Sequence, residues 1–152
     1  QQLIPMPYKY LDEVAYADVA FVATGRTLDE MFQSAGLAVT NGMVRDIKKV
    51  KPKVKKPIKL KADTLDRLLF DFLQEFVFWK DKSLLLFSKV KVKVKEPSKK
   101  GGLFSLTSVL SGEKIDEKHT KSLVVDVKAV TWHLFKIEHS AHMWKCHVVL
   151  DV

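Results

Sequence analysis

The stretch LDRLLFDFLQEFVFWKDKSLLLFSKVKVKVK, residues 65–95, changes its periodicity part-way and so decides the fold class. In its first part Leu65, Leu68, Leu69, Phe72, Leu73 and Phe76 recur at helical spacing and form one apolar stripe. In its last part Lys89-Val90-Lys91-Val92-Lys93-Val94-Lys95 alternates strictly by two, which puts lysines on one face of a strand and valines on the other. Asp63 and Thr64 supply a helix cap ahead of the stripe.

Upstream, Tyr16 to Ala23 is apolar and aromatic apart from Asp18 and reads as a strand. Thr24-Gly25-Arg26 forms a turn, and Thr27 with Glu30 makes a capping box for a helix carrying Leu28, Met31, Phe32, Ala35 and Val39, with a stop at Asn41-Gly42. Lys53 to Lys61 is a strand that Pro52 and Pro57 assign to an edge. Downstream, strands are expected over Leu84–Lys95, Leu103–Leu110, Leu123–Glu138 and Met143–Leu150, with connectors at Pro97–Gly102 and His139–His142. Two helices ahead of a run of strands give an α+β class: two layers, a mostly antiparallel sheet, and two helices packed on one face. Residues 1–7 are expected to be extended and 8–152 to form a single domain.

Composition narrows the chemistry. A chain of 152 residues, 47% apolar and with nine Phe, can bury roughly 70% of its unfolded surface in one core and is not disordered. No run of 18 apolar residues is present, so no membrane helix is expected. The opening Gln-Gln-Leu-Ile-Pro-Met-Pro has no secretory pattern, and a cytoplasmic location is expected. The single cysteine, Cys146, excludes an internal disulfide and a cysteine zinc cage, and its alternation with Trp144 and Val148 suggests a core thiol. No phosphate loop, GxGxxG or Ser/His/Asp order is present, so no catalytic kit is visible.

The net charge of +8 is uneven. Nine basic residues and one acid lie between Arg45 and Lys61, whereas the first 44 residues hold only Lys9 and Arg26 as bases. Lys89, Lys91, Lys93 and Lys95 form either a solvated face that discourages edge pairing or a docking surface for RNA or an acidic protein. Interleaving with valine rather than aromatics limits any RNA contact there to phosphates. His133, His139, His142 and His147 crowd the last strands without a recognised metal spacing. Asp18, Asp151 and the carboxylate of Val152 make a hard-oxygen set suited to Ca²⁺ or Mg²⁺, or else strand-end acids that face water. Asp126 and Lys128 share a strand face and could pair with each other.

Taken in order, these pieces resemble the archease family over about residues 8–152. The carriers are Ala17-Asp18-Val19; Gly25-Arg26-Thr27-Leu28-Asp29-Glu30; Leu68-Leu69-Phe70-Asp71-Phe72-Leu73-Gln74-Glu75; Gly112-Glu113 with His119; Val127-Lys128-Ala129-Val130-Thr131-Trp132-His133; and Val149-Leu150-Asp151-Val152. Ala15-Tyr16 stands where the family usually has His-Thr. The resemblance implies a non-catalytic cofactor of the GTP-dependent tRNA-splicing RNA ligase that promotes its guanylylation and turnover. It also implies a divalent-metal site at Asp18, Asp151 and Val152, and a functional lysine at Lys128. Some members are linked to tRNA methyltransferases as chaperone-like modulators. A basic RNA-binding module acting on a tRNA-modifying enzyme is the competing expectation, and a stand-alone metal hydrolase lacks a positioned general base.

Overall fold

The computed structural model describes residues 7–11, 18–116 and 125–152. In chain order the elements are β1 (Tyr8–Leu11), β2 (Asp18–Gly25), α1 (Leu28–Met43), a 3₁₀ turn (Ile47–Lys49), β3 (Val54–Ala62), α2 (Leu65–Ser83), β4 (Leu85–Lys95), β5 (Phe104–Lys114), β6 (Ala129–Ser140) and β7 (Met143–Asp151). Among the described residues every strand pairing is antiparallel. The α+β class and the two helices are as expected, but the strands divide into two sheets rather than one. One sheet has the order β1-β2-β7-β6 and the other β3-β5-β4. Helix α1 packs on β2 of the first and β4 of the second, and α2 touches both β6 and β4. The helices thus bridge two sheets instead of covering one face of a single sheet.

Local chemistry explains the helices. The Thr27 hydroxyl accepts from the Glu30 N–H at 3.1 Å, and the Glu30 carboxylate accepts from the Arg26 N–H at 2.8 Å, so α1 starts where the capping box put it. Gly25 is needed there, since a Cβ would stand 2.3 Å from the Met31 nitrogen. The helix runs past Asn41-Gly42 to Met43, because the Asn41 amide closes it from within by donating to the Val44 and Arg45 carbonyls. The Thr64 hydroxyl caps α2, and the expected stripe of Leu68, Leu69, Phe72, Leu73 and Phe76 is buried. Each such side chain contributes about 1.5–3 kcal/mol of transfer free energy. Phe32, Phe72, Phe76 and Phe87 form a chain of ring contacts from α1 through α2 to β4.

Several strands differ from expectation, among them β5, which runs on to Lys114 rather than ending at Leu110. Strand β1 is too short a segment to show a period; its Tyr8 and Tyr10 are half-buried and Tyr10 donates to the Ala38 carbonyl at 2.6 Å. Strand β2 runs on to Gly25, through the expected turn. Strand β6 starts at Ala129, not Leu123: residues 125–128 are not in a strand, and 117–124 lie outside the described residues. As expected from Pro57, β3 is an edge strand. Among the described residues no helix is long and apolar enough to cross a membrane.

Candidate functional site

The pairing of β2 with β7 sets Asp18 directly opposite Asp151. On the same two strands Phe21 opposes Val148 and Ala23 opposes Cys146, and all four of those side chains are in the core. Side chains alternate along a strand, so the two carboxylates project together from the face turned away from that core. Opposed residues hold their Cβ atoms roughly 4.5–5.5 Å apart, and like charges at that distance repel. Both aspartates are half-buried, and the next pair on their face, Ala20 and Val149, is fully buried.

Strand β6 closes the other side of Asp151, with Ala129 as its register partner. The Lys128 N–H donates to the Asp151 carbonyl at 2.8 Å, while the Lys128 side chain is exposed. Val152 packs partly against the core. Asp18, Lys128, Asp151 and Val152 therefore meet at one end of the four-stranded sheet.

Helix α2 fixes this end from behind. The Gln74 side chain accepts from the Val130 N–H at 2.8 Å, and Val127 is fully buried. The Lys80 ammonium donates to the Asp126 carboxylate at 2.6 Å and also to Asp81. Its side chain is only 7% exposed, whereas that of Asp126 is 72% exposed. Burial alone pulls this lysine's pKa down, but the hydrogen bonds and charges of Asp126 and Asp81 outweigh it and hold the pKa above the ordinary value. The expected Asp126–Lys128 strand pair does not form, because Asp126 is committed to Lys80 and neither residue is in a strand. The sequence did carry a signal: Lys80 follows Phe72 and Phe76 at four-residue steps on the apolar stripe, where a lysine needs partners.

Among the described residues no three His, Cys, Asp or Glu side chains come together to hold a metal. Asp18 and Asp151 offer two carboxylates in register, and the main-chain oxygens of Val152 are further donors beside them. All are hard oxygen donors, which suits Ca²⁺ or Mg²⁺ rather than a soft metal. The four histidines have other surroundings. His139 stacks on Trp144 at 3.9 Å, His147 Nδ1 donates to the Leu134 carbonyl at 2.8 Å, and His133 and His142 are exposed. Cys146 is buried as expected, and burial pushes its thiol up to about 12 against a small opposing hydrogen bond from the Ala23 backbone.

Two features escaped the sequence reading. Strand β6 bulges between Thr131 and Lys136, with Leu134 in the left-handed region at φ 54°. The bulge carries Trp132, 48% exposed, onto Phe70 of α2 in a 4.0 Å stack. Beyond it, Val22, Leu134, Lys136, Glu138, Lys145 and His147 line a groove of about 290 Å³. The lysines of β4 stand as expected: Lys89, Lys91, Lys93 and Lys95 are exposed, and Val90, Val92 and Val94 pack inward. Ala15, Tyr16, Ala17 and His119 lie outside the described residues.

Residues 8–152 match the model of the archease protein family (MTH1598/TM1083). The chain belongs to the archease family. It is 37% identical over 136 residues to the archease of Methanothermobacter thermautotrophicus, covering 90% of this chain and 93% of that one. It is 34% identical over 146 residues to the archease of Methanosarcina barkeri, covering 95% of each. The solution structure of Methanobacterium thermoautotrophicum protein 1598 superimposes with a TM-score of 0.80 at 32% identity, over 97% of this chain and 100% of that one. A Thermotoga maritima crystal structure, described as an archease and possible chaperone, shares the archease fold with a TM-score of 0.58 at 16% identity, over 90% and 91% of the two chains.

Proposed function

We propose that this archease is a non-catalytic activator of the GTP-dependent tRNA-splicing RNA ligase, acting in the cytoplasm to promote the ligase's guanylylation and repeated turnover. Family membership supports a partner-directed role of this kind. The observation that carries the reading is the direct opposition of Asp18 and Asp151, with Lys128 hydrogen-bonded to Asp151 through its backbone. Two carboxylates placed side by side cost stability without a cation, so their pairing at this sheet end favours a bound cation there.

In this reading Asp18, Asp151 and the main-chain oxygens of Val152 would hold a divalent cation, Ca²⁺ or Mg²⁺, which would supply fixed positive charge when bound. Among the described residues the exposed Lys128 has no ion-pair partner, and its ammonium would meet phosphate groups at the ligase and offset charge as guanylate is transferred. The Lys80–Asp126 pair and Gln74 hold the backbone on either side of Lys128, so that the lysine is presented from a fixed base.

The test is ligase guanylylation at fixed GTP and metal, with Asp18→Ala, Asp151→Ala and Lys128→Ala assayed separately. Each variant is expected to remain folded and to lose most of the stimulation. Full stimulation by all three would refute the proposal.

A further inference from the structure

The outer face of the three-stranded sheet is more basic than the alternation in β4 discloses. Register sets Lys55, Ser111 and Lys89 in one row across β3, β5 and β4. The next rows are Pro57, Val109 and Lys91, then Lys59, Thr107 and Lys93, then Lys61, Ser105 and Lys95. Two rails of lysines, on β3 and β4, therefore flank a shallow trough floored by β5. All seven lysines are exposed. Among the described residues none of the seven has an ion-pair partner; the lysines that do are Lys53, Lys80, Lys136 and Lys145. The three strands contain one acid, Glu113, at the far end, where it accepts from the Lys51 N–H and pairs with Lys53.

Edge protection alone does not account for this pattern. A few charges suffice to blunt an edge, and part of the β4 edge is already covered by Asp29, which accepts from the Val94 N–H at 2.7 Å. Lysines two residues apart along a strand stand about 6.6–6.8 Å from each other. That is inside the screening length of about 8 Å at physiological salt, so their potentials add. The spacing is close to that of successive phosphates along a nucleic-acid strand. The Thr107 hydroxyl, exposed, and the Ser105 hydroxyl, half-buried, can also donate to phosphate oxygens.

We propose that this face binds the phosphodiester backbone of single-stranded nucleic acid, without regard to base sequence. The chemistry on the face separates this from its rivals. A protein partner needs aromatic or apolar anchors at the centre of its interface, and here only Val109 and Pro57 offer apolar surface. A lipid surface calls for a set of large apolar side chains to insert, and the four rows present only Val109 and Pro57. No aromatic ring lies in the four rows, so bases are not stacked and the contacts are to the backbone. The inference does not rest on the activator reading, because it uses no residue of the Asp18–Asp151 end.

The test is fluorescence anisotropy of a labelled fifteen-nucleotide uridine RNA, titrated with the full chain at several salt concentrations. Engagement of four lysines gives a slope of about −3 in log K against log salt, from about −0.7 per phosphate neutralised. Replacing Lys59, Lys61, Lys93 and Lys95 together by Gln is expected to weaken binding at least tenfold at low salt and to flatten the slope. An equally discharged control, with Lys9, Lys82, Lys136 and Lys145 changed to Gln, should bind like the parent, as should Asp151→Ala. Adenosine RNA and deoxythymidine DNA of the same length should bind within a few-fold of the uridine strand. Equal loss in the control set would overturn the proposal, as would displacement of RNA by polyglutamate or phosphatidylserine vesicles at equal charge. Failure of the parent to bind RNA would overturn it too.

Discussion

The two sheets treat like charge in opposite ways. On the three-stranded sheet the lysines are spread over an exposed face in rows that water and salt can screen. At the end of the four-stranded sheet two carboxylates are placed face to face and half-buried, beside a fully buried Ala20–Val149 pair. Dispersed repulsion costs little and builds a broad field. Concentrated repulsion costs more per charge and makes a point-like site. The first arrangement suits an extended polyanion and the second a small cation.

The scaffold behind the contrast can be broken at Gly112. A Cβ on Gly112 would fall 1.7 Å from the Leu86 carbonyl oxygen, where β5 meets the irregular stretch of β4 at Phe87. Gly112→Ala is expected to cost about 3 kcal/mol or more, the upper range for overpacking. Chemical denaturation of the variant measures it, and a loss under about 1 kcal/mol would show that the strands separate easily.

The support of the acidic end is expected to matter next. Removing both carboxylates, with Asp81→Ala and Asp126→Ala together, strands the Lys80 ammonium in a mostly buried position. The cost should approach about 2 kcal/mol, discounted from the about 3–5 kcal/mol of a fully buried pair because Asp126 is largely in water. Lys80→Met keeps the volume and leaves two solvated acids, so it should change stability by less than about 1 kcal/mol. The raised Lys80 pKa sets the sign with pH. The pair's contribution is complete below the unfolded lysine value and is lost as pH rises through the higher folded value, so the double variant and parent should converge in strong alkali. Parallel melting profiles at all pH values would contradict this.

A smaller effect concerns Cys146, on the core side of the same β2–β7 pair. With its thiol pushed up to about 12 and its side chain buried, it should resist alkylation at pH 8 until the protein is unfolded. Rapid labelling of the native protein would show that β7 opens readily.

What the sequence made legible was whatever is written in local period. The α2 stripe, the capping box of α1, the alternation of β4 and the edge character of β3 all follow from neighbouring residues. The division into two sheets does not, because it depends on which strands meet. The row that joins Lys55 to Lys89 through Ser111 is invisible until β3 and β4 are both registered on β5. Asp126 was misassigned because a period of two was extended back through residues 125–128, where the chain turns to α2 instead. The bulge at Leu134 needs a left-handed backbone that no glycine announces. Asp18 and Asp151 stood out chemically as acids in apolar strands, but their placement as partners comes from the pairing of β2 with β7.

The central claim is that this pair of carboxylates takes a divalent cation. Isothermal titration of the metal-free protein with Ca²⁺ and with Mg²⁺ tests it most directly. The account predicts saturable one-to-one binding of at least one of the two ions, lost in Asp18→Asn and in Asp151→Asn and retained in Lys128→Ala. No binding by the parent, or equal binding by the two asparagine variants, would contradict it.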